Sequence, residues 1–164
     1  MSTLRSSFIA VVCLTFAASG WAGELSGTSL SKKEVSLPDG NVNIVIAGFS
    51  RDSGKSAEEW RQALSDIEPS VSIYTMVDLK EAPRFVRGMI VRSLRGDTPE
   101  EAHDTFLIVT DSSPAWRHAA RVDDESQVYV LKLAPGGEVC KRLVGPVSDT
   151  AINLLLKADC RPQE

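Results

Sequence analysis

Apolar positions along this chain change period from segment to segment, and the changes outline an alternating domain of strands and helices. Val42 to Phe49 (VNIVIAGF) is a β-branched, nearly unbroken apolar run, the pattern of a strand buried on both faces. Val71 to Val77 (VSIYTMV) and Thr105 to Thr110 (TFLIVT) have the same character. Between these runs the period lengthens. Trp60, Ala63, Leu64 and Ile67 recur at helical spacing behind a Ser56-x-x-Glu59 capping box. Phe85, Met89, Ile90 and Leu94 supply an apolar helix face after Pro83, a residue suited to a first helical turn. Thr98-Pro99-x-Glu101 predicts a further short helix start, and Ser113-Pro114 a helix through about Arg121 with Ser113 as its N-cap.

The last third changes pattern. Val128 to Leu133 and Glu138 to Val144 flank Pro135-Gly136-Gly137, a hairpin signal. Ser148 then caps a final helix carrying Ala151, Ile152, Leu154, Leu155 and Leu156. Upstream of the first buried run, Glu24 to Lys33 reads as a polar stretch. Glu34 to Leu37 follows as a short extended piece, and Pro38-Asp39-Gly40 as a turn. Helices between the early strands require parallel crossovers, whereas the Gly-Gly hairpin adds an antiparallel edge. The expected architecture is a mixed central sheet flanked by helices and closed by a hairpin and a terminal helix.

The first residues stand apart. Phe8 to Ala18 is apolar except for Thr15, Arg5 is the sole charge before Glu24, and Gly20 and Ala22 stand at the −3 and −1 positions of a cleavage after Ala22. This is the plan of a secretory signal peptide, and the run is too short to span a bilayer. Mitochondrial import is the rival reading, because the segment also lacks acids. The expected organisation is a signal peptide over 1–22, an N-terminal extension with its turn over 23–40, and a domain over 41–164, exported to a periplasm or the exterior.

Composition then narrows the function. Hydrophobic residues make up 43% and charged residues 24% of the 164, ordinary globular values. The formal net charge of −4 argues against nucleic acid as a partner, since phosphate binding needs a basic footprint. Once Cys13 leaves with the signal peptide, Cys140 and Cys160 remain, an even count that permits a disulfide in an oxidising compartment. Such a bridge stabilises by on the order of 3 kcal/mol. His103 and His118 lack companions at ligand spacing, so neither a metal nor a cofactor is expected. Asp123-Asp124-Glu125 suits a solvated turn better than a cation site. Gly48 and Gly54 are separated by five residues where a phosphate-binding loop has four, and no histidine at a recognisable spacing supports Ser53 as a nucleophile.

EVSLPDGNVNIVIAGFS resembles the opening segment, turn and first core strand of the thioredoxin-like superfamily. SQVYVLKLAPGGEVCKRLVGPVSDTAINLLL is similar to its closing hairpin and terminal helix. The segment EAPRFVRGMIVRSLR and Trp116-Arg117 resemble thioredoxin-like mitochondrial ATP synthase assembly factors and their bacterial relatives. The resemblance implies a thioredoxin-like fold and marks the place where redox members carry Cys-x-x-Cys. That place holds Ser53-Gly54-Lys55-Ser56 here, and the proline that these proteins carry in cis before the hairpin is replaced near Ser126. Disulfide exchange requires a thiolate, so the usual loop cannot perform it.

Two readings follow. The first is a non-catalytic binding or assembly module for another protein, with Arg84, Phe85, Arg87, Arg92 and Arg95 on one helix as its docking surface. A peripheral contact with anionic lipid is the second use of that surface. The alternative function is an envelope thiol oxidoreductase or peroxide-handling protein working through Cys140 and Cys160.

Overall fold

The computed structural model describes residues 24–65 and 71–160. The expected signal peptide and Ile67, the last apolar position expected of the first helix, lie outside the described residues.

Seven strands form one sheet: β1 (Leu25–Ser29), β2 (Glu34–Leu37), β3 (Asn43–Gly48), β4 (Ser72–Asp78), β5 (Phe106–Val109), β6 (Val128–Leu133) and β7 (Val139–Val144). They lie in the order β2-β1-β5-β4-β3-β6-β7. β3 pairs in parallel with β4, and β4 with β5; β6 pairs antiparallel with both β3 and β7. The parallel crossovers are made by helices α1 (Gly54–Leu64) and α2 (Arg84–Asp97), as the alternation predicts. α3 (Ser113–Ala120) and α4 (Asp149–Lys157) complete the thioredoxin-like fold.

Every residue of β3 and β6 is buried, which is why the two strands are almost wholly apolar, with Asn43 and Lys132 as the exceptions. One face of the sheet packs Val45, Ala47, Met76, Leu107, Tyr129 and Leu131 against Trp116 and Ala120 of α3. The opposite face packs Ile44, Ile46, Val128 and Val130 against Ala57, Trp60 and Leu64 of α1 and Leu155 of α4. Trp60 donates from Nε1 to the Gly145 carbonyl at 2.9 Å, so its one polar atom is satisfied inside the core.

Several expectations need correction. Glu24 to Lys33, read as a polar stretch, contains β1, which pairs with β2 and β5. Its alternation was hidden by small residues. Leu25, Gly27 and Ser29 turn inward, and a Cβ on Gly27 would lie 3.1 Å from Val109 Cγ2. The Ser56/Glu59 capping box does not form, because α1 starts earlier, at Gly54, with Ser53 at the N-cap. α3 likewise has Ser112 rather than Ser113 as its N-cap. The signal at Thr98-Pro99 yields only a 3-10 turn over Glu100–Ala102.

The face expected on α2 is also different. Val86, Ile90 and Leu94 are half-buried, whereas Phe85 and Met89 are 87% and 69% exposed. Both sets have helical spacing, one residue out of step and so about 100° apart around the axis. Periodicity alone could not choose between them. No α2 residue is fully buried.

Candidate functional site

The loop that would carry thiols in a redox thioredoxin joins β3 to α1 at the C-terminal end of the parallel strands. Its geometry follows from Gly48. A Cβ there would lie 2.9 Å from Ser53 Oγ, so the glycine lets the loop fold back tightly over the strand end. Ser53 is 1% exposed and donates from Oγ to the Ser50 carbonyl at 2.8 Å. It does not cap α1 with its side chain. Gly54 opens the helix, Lys55 reaches out to Glu59 at 3.9 Å, and Ser56 is half-buried in the first turn. The four residues are therefore together, as the spacing requires, but the hydroxyl nearest the thiol position is turned inward and occupied.

A charged network that the linear pattern did not reveal supports this loop. Asp78 ends β4 with its side chain 1% exposed; Oδ2 accepts from Ser113 Oγ at 2.6 Å and from Arg117 Nε at 3.0 Å. Its Oδ1 accepts from the Lys80 amide at 2.8 Å. Arg117 also pairs through Nη1 with Glu125 and stacks over Phe49, with 5.4 Å from Cζ to the ring centroid. The hydrogen bond to Glu125, helped by both carboxylates' charge, pushes the guanidinium above its already high range. Arg117 Nη2 is buried without a hydrogen-bond partner. Ser50 Oγ closes the circuit by donating to the Glu125 carbonyl at 2.7 Å. The i, i+4 spacing of Ser113 and Arg117 was legible, but not their meeting with Asp78, 35 and 39 residues away in sequence.

Asp78 accepts from three donors, and Arg117 is balanced by two carboxylates. The neighbouring acids are occupied too. Asp123 accepts from the Tyr129 hydroxyl at 2.6 Å, and Asp124 from Ser126 Oγ at 2.7 Å. Among the described residues, no group of three His, Cys, Asp or Glu side chains is placed to hold a metal ion.

Cys140 and Cys160 form a disulfide, with Cα atoms 5.4 Å apart. It lies at the other end of the sheet. Asn43 pairs with Leu133 and Gly48 with Val128, so β6 carries the chain away from the loop before β7 turns back. The separation along β3 is roughly 17 Å at about 3.3 Å per residue. The bridge ties β7 to the tail beyond α4, and both cysteines are half-buried. Lys132, a buried residue of β6, reinforces the tie by donating from Nζ to the carbonyls of Leu156 at 3.1 Å and Ala158 at 2.8 Å. A cation there satisfies the open carbonyls at the end of α4. Desolvation by burial pulls the Lys132 ammonium below the usual lysine range.

The arginines of α2 divide into two pairs. Arg87 donates to the carbonyls of Ala82 at 2.8 Å and Lys80 at 2.7 Å, and Arg95 to Leu30 O at 3.1 and 2.7 Å. These two fasten the helix to its own chain. Arg84 and Arg92 stand exposed. Among the described residues, no helix is long and apolar enough to cross a membrane.

No family model matches the chain. No curated protein matches it either. Solved structures do. StoA from Bacillus subtilis is similar at 16% identity over 83% of this chain and 98% of that one, with a TM-score of 0.56. The exposed lipoprotein thioredoxin Etrx1 of Streptococcus pneumoniae is similar at 13% identity over 82% and 98%, with a TM-score of 0.57. BsSco, a member of the Sco family of cytochrome c oxidase assembly proteins, is similar at 14% identity over 84% and 90%, again at 0.57. At these identities the likeness establishes the fold. Thiol–disulfide oxidoreductases are among the proteins that share it.

Proposed function

We propose that this chain is an exported, non-catalytic binding or assembly module built on a thioredoxin-like frame. The observation that carries the reading is Ser53: at the thiol position of the fold stands a buried hydroxyl already donating to the Ser50 carbonyl. A serine there supplies no thiolate, and Asp78, Ser113 and Arg117 are bonded to one another rather than open to a substrate. Export is supported by the signal-like pattern over 1–22 and by the likeness to Etrx1, itself an exposed lipoprotein. An assembly role is supported by the sequence resemblance of the α2 segment to ATP synthase assembly factors and by the likeness to BsSco, from a family of assembly proteins.

The test is reduction of insulin by the purified mature chain with dithiothreitol as the electron source, beside the Cys140→Ser/Cys160→Ser variant. Neither protein should accelerate precipitation above background. Catalysis by the wild type that the double variant lacks would overturn the module reading. It would establish the second one, an oxidoreductase or peroxide-handling protein working through Cys140 and Cys160, which the presence of that cysteine pair favours.

A further inference from the structure

α2 presents to solvent a surface that its own fold does not explain. Phe85, Gly88, Met89, Arg92 and Gly96 are spaced three or four residues apart and so stack along one side of the helix. Phe85 and Met89 are the two most exposed large apolar side chains among the described residues, at 87% and 69%. The two glycines are as informative. A Cβ added at Gly88 or Gly96 would meet nothing within 4 Å, so neither close packing nor turn geometry demands glycine there. In a helix interior glycine is less favourable than alanine, and here that cost has no return within this chain. Its return would come from outside, where a missing side chain lets another backbone come close.

Charge selects the visitor. Arg84 and Arg92 border the arc, and among the described residues the ion pairs involve neither. The nearest acid along the helix, Asp97, accepts from Ser93 at its far end. The arc is thus cationic on a chain whose formal net charge is −4, and its complement is a carboxylate-bearing surface. Relief argues against a bilayer. A helix lying in a lipid interface offers its broad apolar face, but α2 turns Val86, Ile90 and Leu94 towards its own domain and leaves two knobs and two hollows outside. Knobs beside hollows fit the ridges of another helix.

We propose that the outer arc of α2 docks an amphipathic helix of another protein whose apolar stripe is flanked by carboxylates. The proposal rests on the binding-module reading and gives its partner a chemistry.

The test is fluorescence anisotropy with the mature chain and a labelled synthetic helix bearing a leucine stripe flanked by glutamates, beside a lysine-flanked twin. The glutamate helix should bind saturably and the lysine helix should not. Phe85→Ser/Met89→Ser should weaken binding by about tenfold or more, the loss typical of hot-spot side chains. Arg84→Glu/Arg92→Glu should weaken the glutamate helix and admit the lysine helix. Gly88→Ala/Gly96→Ala should raise the melting temperature while weakening binding, a pairing that a purely structural role for the glycines cannot produce.

Absence of binding by the glutamate helix, or equal binding by Phe85→Ser/Met89→Ser, would overturn the proposal. So would phosphatidylglycerol vesicle binding or self-association that those substitutions abolish, which would make the arc a lipid or dimer surface. The insulin assay is independent of all these outcomes. Failure here with no thiol exchange there removes only the docking surface, whereas thiol exchange removes the module reading itself.

Discussion

The two ends of the sheet are closed by different kinds of bond. At the loop end, Ser53, Asp78, Ser113, Arg117 and Glu125 draw four segments together through hydrogen bonds and ion pairs, without sulfur. At the far end, the Cys140–Cys160 bridge and Lys132 bind the C-terminal tail to β6 and β7. The frame that elsewhere holds thiols at the loop keeps its cysteine pair here at the opposite pole, on an edge strand. Redox conditions should therefore touch the tail and leave the loop alone, while loss of a charge should loosen the loop and spare the tail.

The largest expected effect tests the loop end. Asp78→Ala removes the buried acceptor shared by Ser113 and the Lys80 amide and leaves Arg117 with Glu125 alone, which should cost about 3–5 kcal/mol. Urea unfolding measures it. A loss below about 1 kcal/mol would mean that packing alone holds this end.

Next is the bridge. Cys140→Ser/Cys160→Ser should lower stability by about 3 kcal/mol, given a sequence separation of 20. Hydrogen exchange should rise in α4 and the tail and stay unchanged at the amides of residues 49–56. Faster exchange at the loop would show that the two ends are coupled.

A third prediction belongs to the far end and depends on pH. Burial, then the hydrogen bond to Asp39, raises the Tyr74 phenol to about 12. The folded pKa lies above the unfolded value near 10, so the folded chain holds the proton longer. The stabilisation is fully present below pH 10 and lost as pH climbs through about 12, amounting to roughly 3 kcal/mol at about 1.4 kcal/mol per unit. Tyr74→Phe should flatten the stability profile in that window; an unchanged alkaline slope would assign it to other groups.

The smallest effect returns to the loop. Ser53→Ala should cost about 1 kcal/mol, the worth of one hydrogen bond. Gly48→Ala should be more damaging with Ser53 present than in the Ser53→Ala background, because the added Cβ meets Ser53 Oγ at 2.9 Å. Strict additivity in the double-mutant cycle would show that the two do not meet.

Much of the fold was legible because its signals are local. The buried runs of β3 and β6, the Pro-Gly-Gly hairpin and the helical spacing within α1 each sit within a dozen residues. Where local signals were weak or doubled, the reading failed. β1 has only Leu25 as a large apolar residue, and its place in the sheet depends on β2 and β5 beside it, with Ser26 O accepting from Ser112 and Trp116 of α3. In α2 two apolar stripes share one period, and the body of the domain covers only one of them. Of the candidate site, the serines of the loop were legible, but Asp78 and Glu125 were not.

The sequence by itself determined the α/β alternation, the absence of a thiol between Gly48 and Ser56, and the signal-like character of 1–22. Each depends on residue identity or on spacing along the chain, and neither changes when the chain folds. Only the tertiary structure decided that Asp78 meets Ser113 and Arg117, that Cys140 closes on Cys160, and that Phe85 and Met89 face outward. Those are choices among partners distant in sequence, made by which strands lie side by side and which helix faces they cover. A periodic pattern specifies that a face is apolar; only packing specifies whether anything covers it.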